Sequence, residues 1–172
     1  MNETTCDGKK IVLIILLVLN YPSLAFDSYS IYLVRHAEKV ANSDNPSLTN
    51  CGASRAAMIA NILSKTNISS IYSTSYERTM QTAKPLADLN NSPIKIYNPK
   101  LLNQLALLLQ QKNENALVVG HSNTTPQLVE LLAKQKTSPL TEQDFQYLYQ
   151  VQFINKQPLL TIFQLPLNCL AA

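Results

Sequence analysis

Two short apolar runs in this chain each end at a histidine, and these are its only two histidines. The first run, residues 31–34, leads into Arg35 and His36, and the second, residues 116–120, leads into His121. Short runs of this composition predict buried strands of a parallel sheet. Because open α/β sheets carry their chemistry at the carboxyl ends of the strands, both histidines are expected at one shared site.

The remaining chain alternates between strand-like and helix-like segments, which predicts an α/β fold. Strands are expected near residues 30–35, 68–73, 93–97 and 116–120, and helices near residues 51–64, 76–88, 101–110 and 125–134. Two β-rich runs, 144–154 and 159–165, flank residues 155–158 and predict a hairpin. The expected architecture is a three-layer α/β/α sandwich, whose mostly parallel sheet carries an antiparallel C-terminal edge hairpin.

Short polar residues precede the first two predicted helices and are expected to cap them. Thr49 or Asn50 is the candidate for the first helix, and Ser73 or Ser75 is the candidate for the second. Each hydroxyl or amide oxygen would accept a bond from a backbone N–H that the first turn leaves unpaired.

The first 25 residues have the organisation of a secretory signal peptide. Two lysines precede the apolar run 11–19, and the small residues Ser23 and Ala25 stand at the positions expected before a cut after Ala25. The run is shorter than the roughly 20 residues that span a bilayer, so cleavage is favoured over a retained anchor. The mature domain is therefore expected over residues 26–172, in a periplasmic or secreted protein without stable membrane insertion.

Charge and cysteine content narrow the function classes further. The net charge of +3 is scattered and forms no basic stripe, so nucleic acid is not an expected partner. Two histidines without neighbouring Cys or carboxylate make a poor metal site, so neither a metal nor another cofactor is expected. In an exported chain, Cys51 and Cys169 either form one disulfide or stay as two thiols.

Four side chains combine into a candidate site: Arg35, His36, Arg78 and His121. A single histidine at a strand end is more often structural, but here two occupy equivalent strand ends. Guanidinium groups pair with phosphate oxygens through two parallel hydrogen bonds, and a neutral imidazole is a competent nucleophile. The combination favours phosphoryl transfer through a phosphohistidine.

Four segments also resemble motifs of the histidine phosphatase superfamily, in the branch that includes cofactor-dependent phosphoglycerate mutase and small bacterial phosphohistidine phosphatases. They are residues 33–39, 48–56, 71–83 and 118–123, in the family's order and spacing. The resemblance implies that His36 is the phosphorylated nucleophile. It implies that Arg35, Arg78 and His121 hold the phosphoryl oxygens.

The same resemblance implies smaller roles for other residues. Ser122, through its backbone N–H, and Asn42 complete the expected substrate-binding set. Gly52 would serve close packing near a helix start, and Arg55 is expected to support structure rather than catalysis.

The chain departs from the family pattern in its acids. Many members carry a proton-donating Glu after the third strand, but residues 89–113 contain no Asp or Glu. Glu38, two residues beyond the nucleophile, is the preferred substitute, and an acid in the Glu142/Asp144 stretch is the alternative. Otherwise the substrate has a good leaving group, such as a phosphohistidine or an acyl phosphate.

The sequence is thus interpreted as an exported phosphatase that acts on a phosphorylated small molecule or a phosphoprotein. Two alternatives stay open: a phosphate-binding module with little catalysis on the same fold, and a phosphotransferase or mutase.

Overall fold

The computed structural model describes residues 28–41 and 44–166. The predicted signal peptide, Asn42 and Cys169 lie outside these residues. Within the described ranges, no helix has the length and apolar content needed to cross a membrane.

The described strands form one mixed sheet. They are β1 Ser28–Arg35, β2 Ser70–Ser73, β3 Ile94–Ile96, β4 Ala116–Gly120, β5 Tyr147–Ile154 and β6 Gln157–Gln164. Their order across the sheet is β3-β2-β4-β1-β5-β6. The first four pair in parallel, whereas β5 and β6 pair antiparallel at one edge. This confirms the predicted sheet and its C-terminal hairpin.

Helices cover both faces of the sheet. They are α1 Asn50–Leu63, α2 Glu77–Leu89, α3 Leu102–Lys112 and α4 Thr124–Ala133. Residues of α1 and α2 share one buried apolar cluster with the sheet, and residues of α3 and α4 share a second cluster. The predicted three-layer α/β/α architecture is therefore confirmed.

Strand β1 shows why the central runs are apolar throughout. Ile31 and Leu33 pack in the cluster of α3 and α4, while Tyr32 and Val34 pack in the cluster of α1 and α2. Successive side chains of a strand point to opposite faces, so a strand covered on both faces needs apolar residues at every position.

The pairing of β1 with β4 fixes the geometry of the site. Arg35 lies opposite Gly120, and the next amide, that of His36, donates to the Gly120 carbonyl at 2.9 Å. His121 directly follows Gly120. The register therefore places both histidines at the same edge of the sheet.

Helix caps follow the sequence at α1 but not at α2. Thr49 Oγ1 accepts from the Gly52 amide at 3.0 Å, as predicted for α1. For α2 the predicted serine cap is wrong, because its N-cap is Tyr76, which makes no side-chain capping bond. Ser73 is instead the last residue of β2, and its hydroxyl donates to the Thr74 carbonyl.

The hairpin is tighter than predicted. Its turn consists of Asn155 and Lys156, both in the left-handed region with φ of 49° and 66°. Strand β5 begins at Tyr147 rather than 144, because residues 141–146 form a loop that packs against the site. We call residues 141–146 the site loop.

Candidate active site

A pocket of about 420 Å³ opens at the carboxyl edge of β1 and β4. It brings together the four side chains of the predicted constellation, Arg35, His36, Arg78 and His121. The rest of its lining is Lys39, Tyr76, Pro99, Lys100, Ser122, Asn123, Thr124 and Glu142. A larger cavity of about 620 Å³ lies beside α3 and α4, but it contains neither histidine.

His36 is buried, and its ring is held in one tautomer. Its Nδ1 lies 2.8 Å from the Ala37 carbonyl, which only a donor can satisfy, so Nδ1 carries the proton and Nε2 keeps its lone pair. Burial, and to a smaller extent the charges of Arg35 and Arg78, lower the pKa of His36 from its ordinary 6.5 to about 3. The imidazole is consequently neutral at physiological pH and has a free nucleophilic nitrogen.

Arg35 projects from the end of β1 and is held by the site loop. Its Nη1 donates to the Thr141 carbonyl at 2.7 Å, and its Nη2 pairs with Glu142 Oε2 at 3.0 Å. The guanidinium carbon lies 4.2 Å from the centre of the Phe145 ring. Among the described residues, the buried Nε of Arg35 has no hydrogen-bond partner.

Arg78 enters the pocket from the first turn of α2. Its Nη2 faces His121 Nδ1 at 3.5 Å, and its guanidinium lies 4.5 Å from the centre of the Tyr76 ring. Within the described part of the chain, Arg78 pairs with no carboxylate, and its buried Nε has no partner. A buried donor left unpaired costs about 1–3 kcal/mol, and guanidinium groups pair well with oxyanions, so the two arginines suit this pocket to an oxyanion.

His121 owes its orientation to a chain of hydroxyl groups. Thr79 Oγ1 donates to a backbone carbonyl, so it accepts from Thr74 Oγ1 at 2.8 Å. Thr74 Oγ1 then accepts from His121 Nε2 at 3.0 Å. The Nδ1 lone pair of His121 is left facing Arg78, and burial lowers the pKa of this imidazole to about 4.

The surrounding elements add positive potential. Helix α4 begins at Thr124 on the pocket wall, and helix N-termini attract anions through their unpaired amides. Lys39 and Lys100 line the mouth, where Glu142 is the one acidic lining residue among those described. The pocket therefore suits a small, doubly charged anion.

Residues 31–104 match the family model of the histidine phosphatase superfamily, branch 1. Over this segment the chain resembles that superfamily. Its fold is similar to that of the protein histidine phosphatase SixA, solved with tungstate, at 18% identity, with 78% of this chain and 96% of that chain covered and a TM-score of 0.65. No curated protein matches the chain by sequence.

Two further solved structures share the fold of this chain. Phosphoserine phosphatase from Entamoeba histolytica, in complex with 3-phosphoglyceric acid, is 18% identical, with 79% and 96% of the two chains covered and a TM-score of 0.59. Phosphoglycerate mutase from Plasmodium falciparum is 16% identical, with 84% and 98% covered and a TM-score of 0.58.

In this histidine phosphatase fold, Glu38 does not reach the pocket. Arg55 donates from Nε and Nη2 to the Glu38 carboxylate, the shortest distance being 2.6 Å. Glu38 is absent from the pocket lining, which argues against the preferred proton donor. Arg55 thus has the structural role that was expected of it.

Gly52 also has the packing role that was expected. A Cβ at this position would lie 2.2 Å from the backbone oxygen of Glu38. The start of α1 therefore packs directly on the segment that follows His36.

Sequence reasoning missed several residues of the site. Lys39 and Tyr76 lie inside the matched motifs but were given no role, and Lys100 was not considered. Thr74 was likewise overlooked, although it lies in the turn between β2 and α2 and contacts His121. Ser122 does line the pocket, whereas Asn42 lies outside the described residues.

Proposed function

We propose that this chain is an exported, metal-independent phosphatase that hydrolyses a phosphomonoester or phosphoramidate through a phosphohistidine on His36. One observation carries the proposal. A neutral imidazole with a free Nε2 shares a pocket with two guanidinium groups whose buried Nε atoms have no partner among the described residues.

The reaction divides into two displacements. His36 Nε2 attacks phosphorus, the bond to the leaving group breaks, and its electron pair stays with the leaving atom. Water then attacks the phosphohistidine, and inorganic phosphate departs as His36 regains its lone pair. In both steps Arg35 and Arg78 stabilise the charge on the equatorial oxygens, which is the main catalytic need of phosphoryl transfer.

His121 contributes to the same charge balance. In the neutral state, its Nδ1 lies 3.5 Å from Arg78 Nη2. A bound phosphate dianion favours protonation of that nitrogen, because an opposite charge nearby stabilises the imidazolium. His121 would then donate a hydrogen bond to a phosphoryl oxygen.

The relatives support a phosphorylated substrate of small molecule or protein type. They include a protein histidine phosphatase, a phosphoserine phosphatase and a phosphoglycerate mutase. Export is supported by the signal-like residues 1–25. It is also supported by the disulfide-bonded state of Cys51, because disulfides persist in oxidising compartments.

The test uses p-nitrophenyl phosphate, whose leaving group needs no proton. The purified protein should turn it over in the presence of a chelator, and His36→Ala should lower kcat by at least about 10³-fold. A rapid acid-free quench should trap a phosphohistidine in the wild type and none in His36→Ala. Asp88→Asn, which breaks an exposed ion pair on α2, is the control and should keep wild-type activity.

Two results would contradict the proposal. Binding of inorganic phosphate or vanadate without turnover by the wild type would support the phosphate-binding module instead. Loss of turnover on chelation, restored by a divalent metal, would remove the metal-independent mechanism.

A further inference from the structure

Glu142 places a carboxylate beside the anion site. In the site loop, its Oε2 lies 3.0 Å from Arg35 Nη2 and its Oε1 accepts from Ser122 Oγ at 3.2 Å. The side chain is 77% exposed, so it stands at the mouth of the pocket rather than at its floor. No other acidic residue among those described lines this pocket.

The mouth is where the leaving group must depart. Displacement by His36 at the buried floor proceeds in line, so the leaving atom exits on the side opposite the nucleophile. An alkoxide leaving group needs a proton, and a positioned acid contributes about 10²–10⁴-fold to its departure. Glu38 is held by Arg55, and residues 89–113 contain no acid.

We infer that Glu142 is the proton donor to the leaving group, an assignment that rests on the proposed phosphatase function. Arg35 can hold the substrate without releasing Glu142. Its Nε is free of partners among the described residues, and its Nη2 carries two protons, of which one reaches the carboxylate. A phosphoryl oxygen taken by Nε and Nη2 lies next to Glu142.

A bound substrate would share Arg35 with Glu142. In the empty pocket, Glu142 pairs with Arg35 at 3.0 Å. A phosphoryl group on the same guanidinium would place its leaving oxygen within reach of a proton on the Glu142 carboxyl.

The proton returns in the second displacement. Glu142 gives its proton to the departing oxygen as the phosphorus–oxygen bond breaks, and the products are an alcohol and a carboxylate. That carboxylate then takes a proton from the water that attacks the phosphohistidine. Inorganic phosphate, neutral His36 and protonated Glu142 result, so the acid is regenerated.

The site loop holds Glu142 in position through its neighbours. The Thr141 carbonyl accepts a hydrogen bond from Arg35, and Phe145 lies against the same guanidinium. Asp144, the other acid of the loop, accepts from the Thr141 amide and hydroxyl at 2.7 and 2.6 Å. Asp144 therefore shapes the loop, while Glu142 faces the pocket.

The experiment compares Glu142→Gln with the wild type on monoesters of graded leaving-group basicity, from p-nitrophenyl through phenyl to ethyl phosphate. The amide keeps an acceptor for Arg35 and Ser122 but cannot give the proton. We expect kcat/KM of the variant to fall about 10²–10⁴-fold on ethyl phosphate and less than about threefold on p-nitrophenyl phosphate. We expect kcat/KM to depend weakly on leaving-group basicity in the wild type and steeply in the variant.

Glu77→Gln is the matched control, because it removes one exposed carboxylate from the start of α2 outside the pocket lining. It should leave the dependence unchanged. Glu142→Asp should restore part of the lost rate on ethyl phosphate.

An equal change of Glu142→Gln on every ester, or no change on any, overturns the assignment. An equal gain would mean that the carboxylate only competes with phosphate for Arg35. Turnover of p-nitrophenyl phosphate that depends on His36 tests the phosphatase function separately, so the two ideas fail independently.

Discussion

At the scale of single residues, the site depends on two imidazoles kept neutral in a cationic pocket. His36 is fixed by the Ala37 carbonyl, and His121 is fixed by Thr74. Both rings therefore stay neutral in the empty pocket at physiological pH. Burial of these imidazoles costs free energy of folding, and protonation of the buried rings would raise that cost.

Stability should consequently depend on pH through these two histidines. Their pKa values are about 3 and about 4 in the folded protein, below the ordinary 6.5 that holds after unfolding. The unfolded chain then binds more protons, so the free energy of unfolding falls as pH falls below 6.5. Two groups give a slope of up to about 2.7 kcal/mol per pH unit, and half-buried His121 gives the smaller share.

Urea unfolding between about pH 4.5 and 6.5, in buffers free of phosphate, measures this slope. His36→Gln should remove the larger part of it, and His121→Gln should remove most of the rest. A slope that survives in both variants would mean that other groups govern the acid sensitivity.

At the scale of secondary-structure elements, the hairpin turn is under backbone strain. Lys156 has φ of 66°, a conformation that costs a residue with a Cβ about 1–2 kcal/mol and costs glycine little. Lys156→Gly should therefore stabilise the protein by about 0.5–1 kcal/mol, after the extra chain entropy of glycine is subtracted.

Thermal or urea unfolding tests this, with Lys112→Gly as the control. Lys112 is the last residue of α3, where glycine only weakens the helix and should cost about 0.5 kcal/mol. If both variants lose stability equally, the side chain of Lys156 outweighs its backbone strain.

The elements that were predicted well are those fixed by their own composition. Strand β4 has the predicted bounds 116–120, and β1 extends the prediction by two residues. Strands that are covered on both faces of a sheet have continuous apolar runs, which makes them recognisable in the sequence. The hairpin was also found, since two β-rich runs flank a turn.

The parts that were missed depend on distant partners. Residues 144–146 were predicted to begin a strand, but they form part of the site loop. Backbone carbonyls of this loop accept hydrogen bonds from Arg35, which is more than a hundred positions away in the sequence. Glu38 stands near the nucleophile in sequence, but Arg55 on α1 takes its carboxylate. No local pattern reports either contact.

At the scale of the whole molecule, the proposal of export has a direct test. Mass spectrometry of the protein secreted from its host should find a chain that begins at Phe26 or a near neighbour. Under non-reducing conditions, the peptide that contains Cys51 should be linked to the one that contains Cys169. A membrane-bound protein that keeps Met1 would contradict cleavage.

The direction of β1 has a consequence for how the molecule can be presented at a surface. Its eight residues run from Ser28 to Arg35, so the segment before Ser28 joins the sheet about 25 Å from the pocket edge. Strand β6 runs in the same direction as β1, because β5 is antiparallel to both, and Gln164 ends it beside Tyr147, at the pocket edge. If the protein is coupled to a bead at Ser28, we expect the mouth to stay open even to a bulky phosphoprotein, whereas coupling at Gln164 should crowd the mouth.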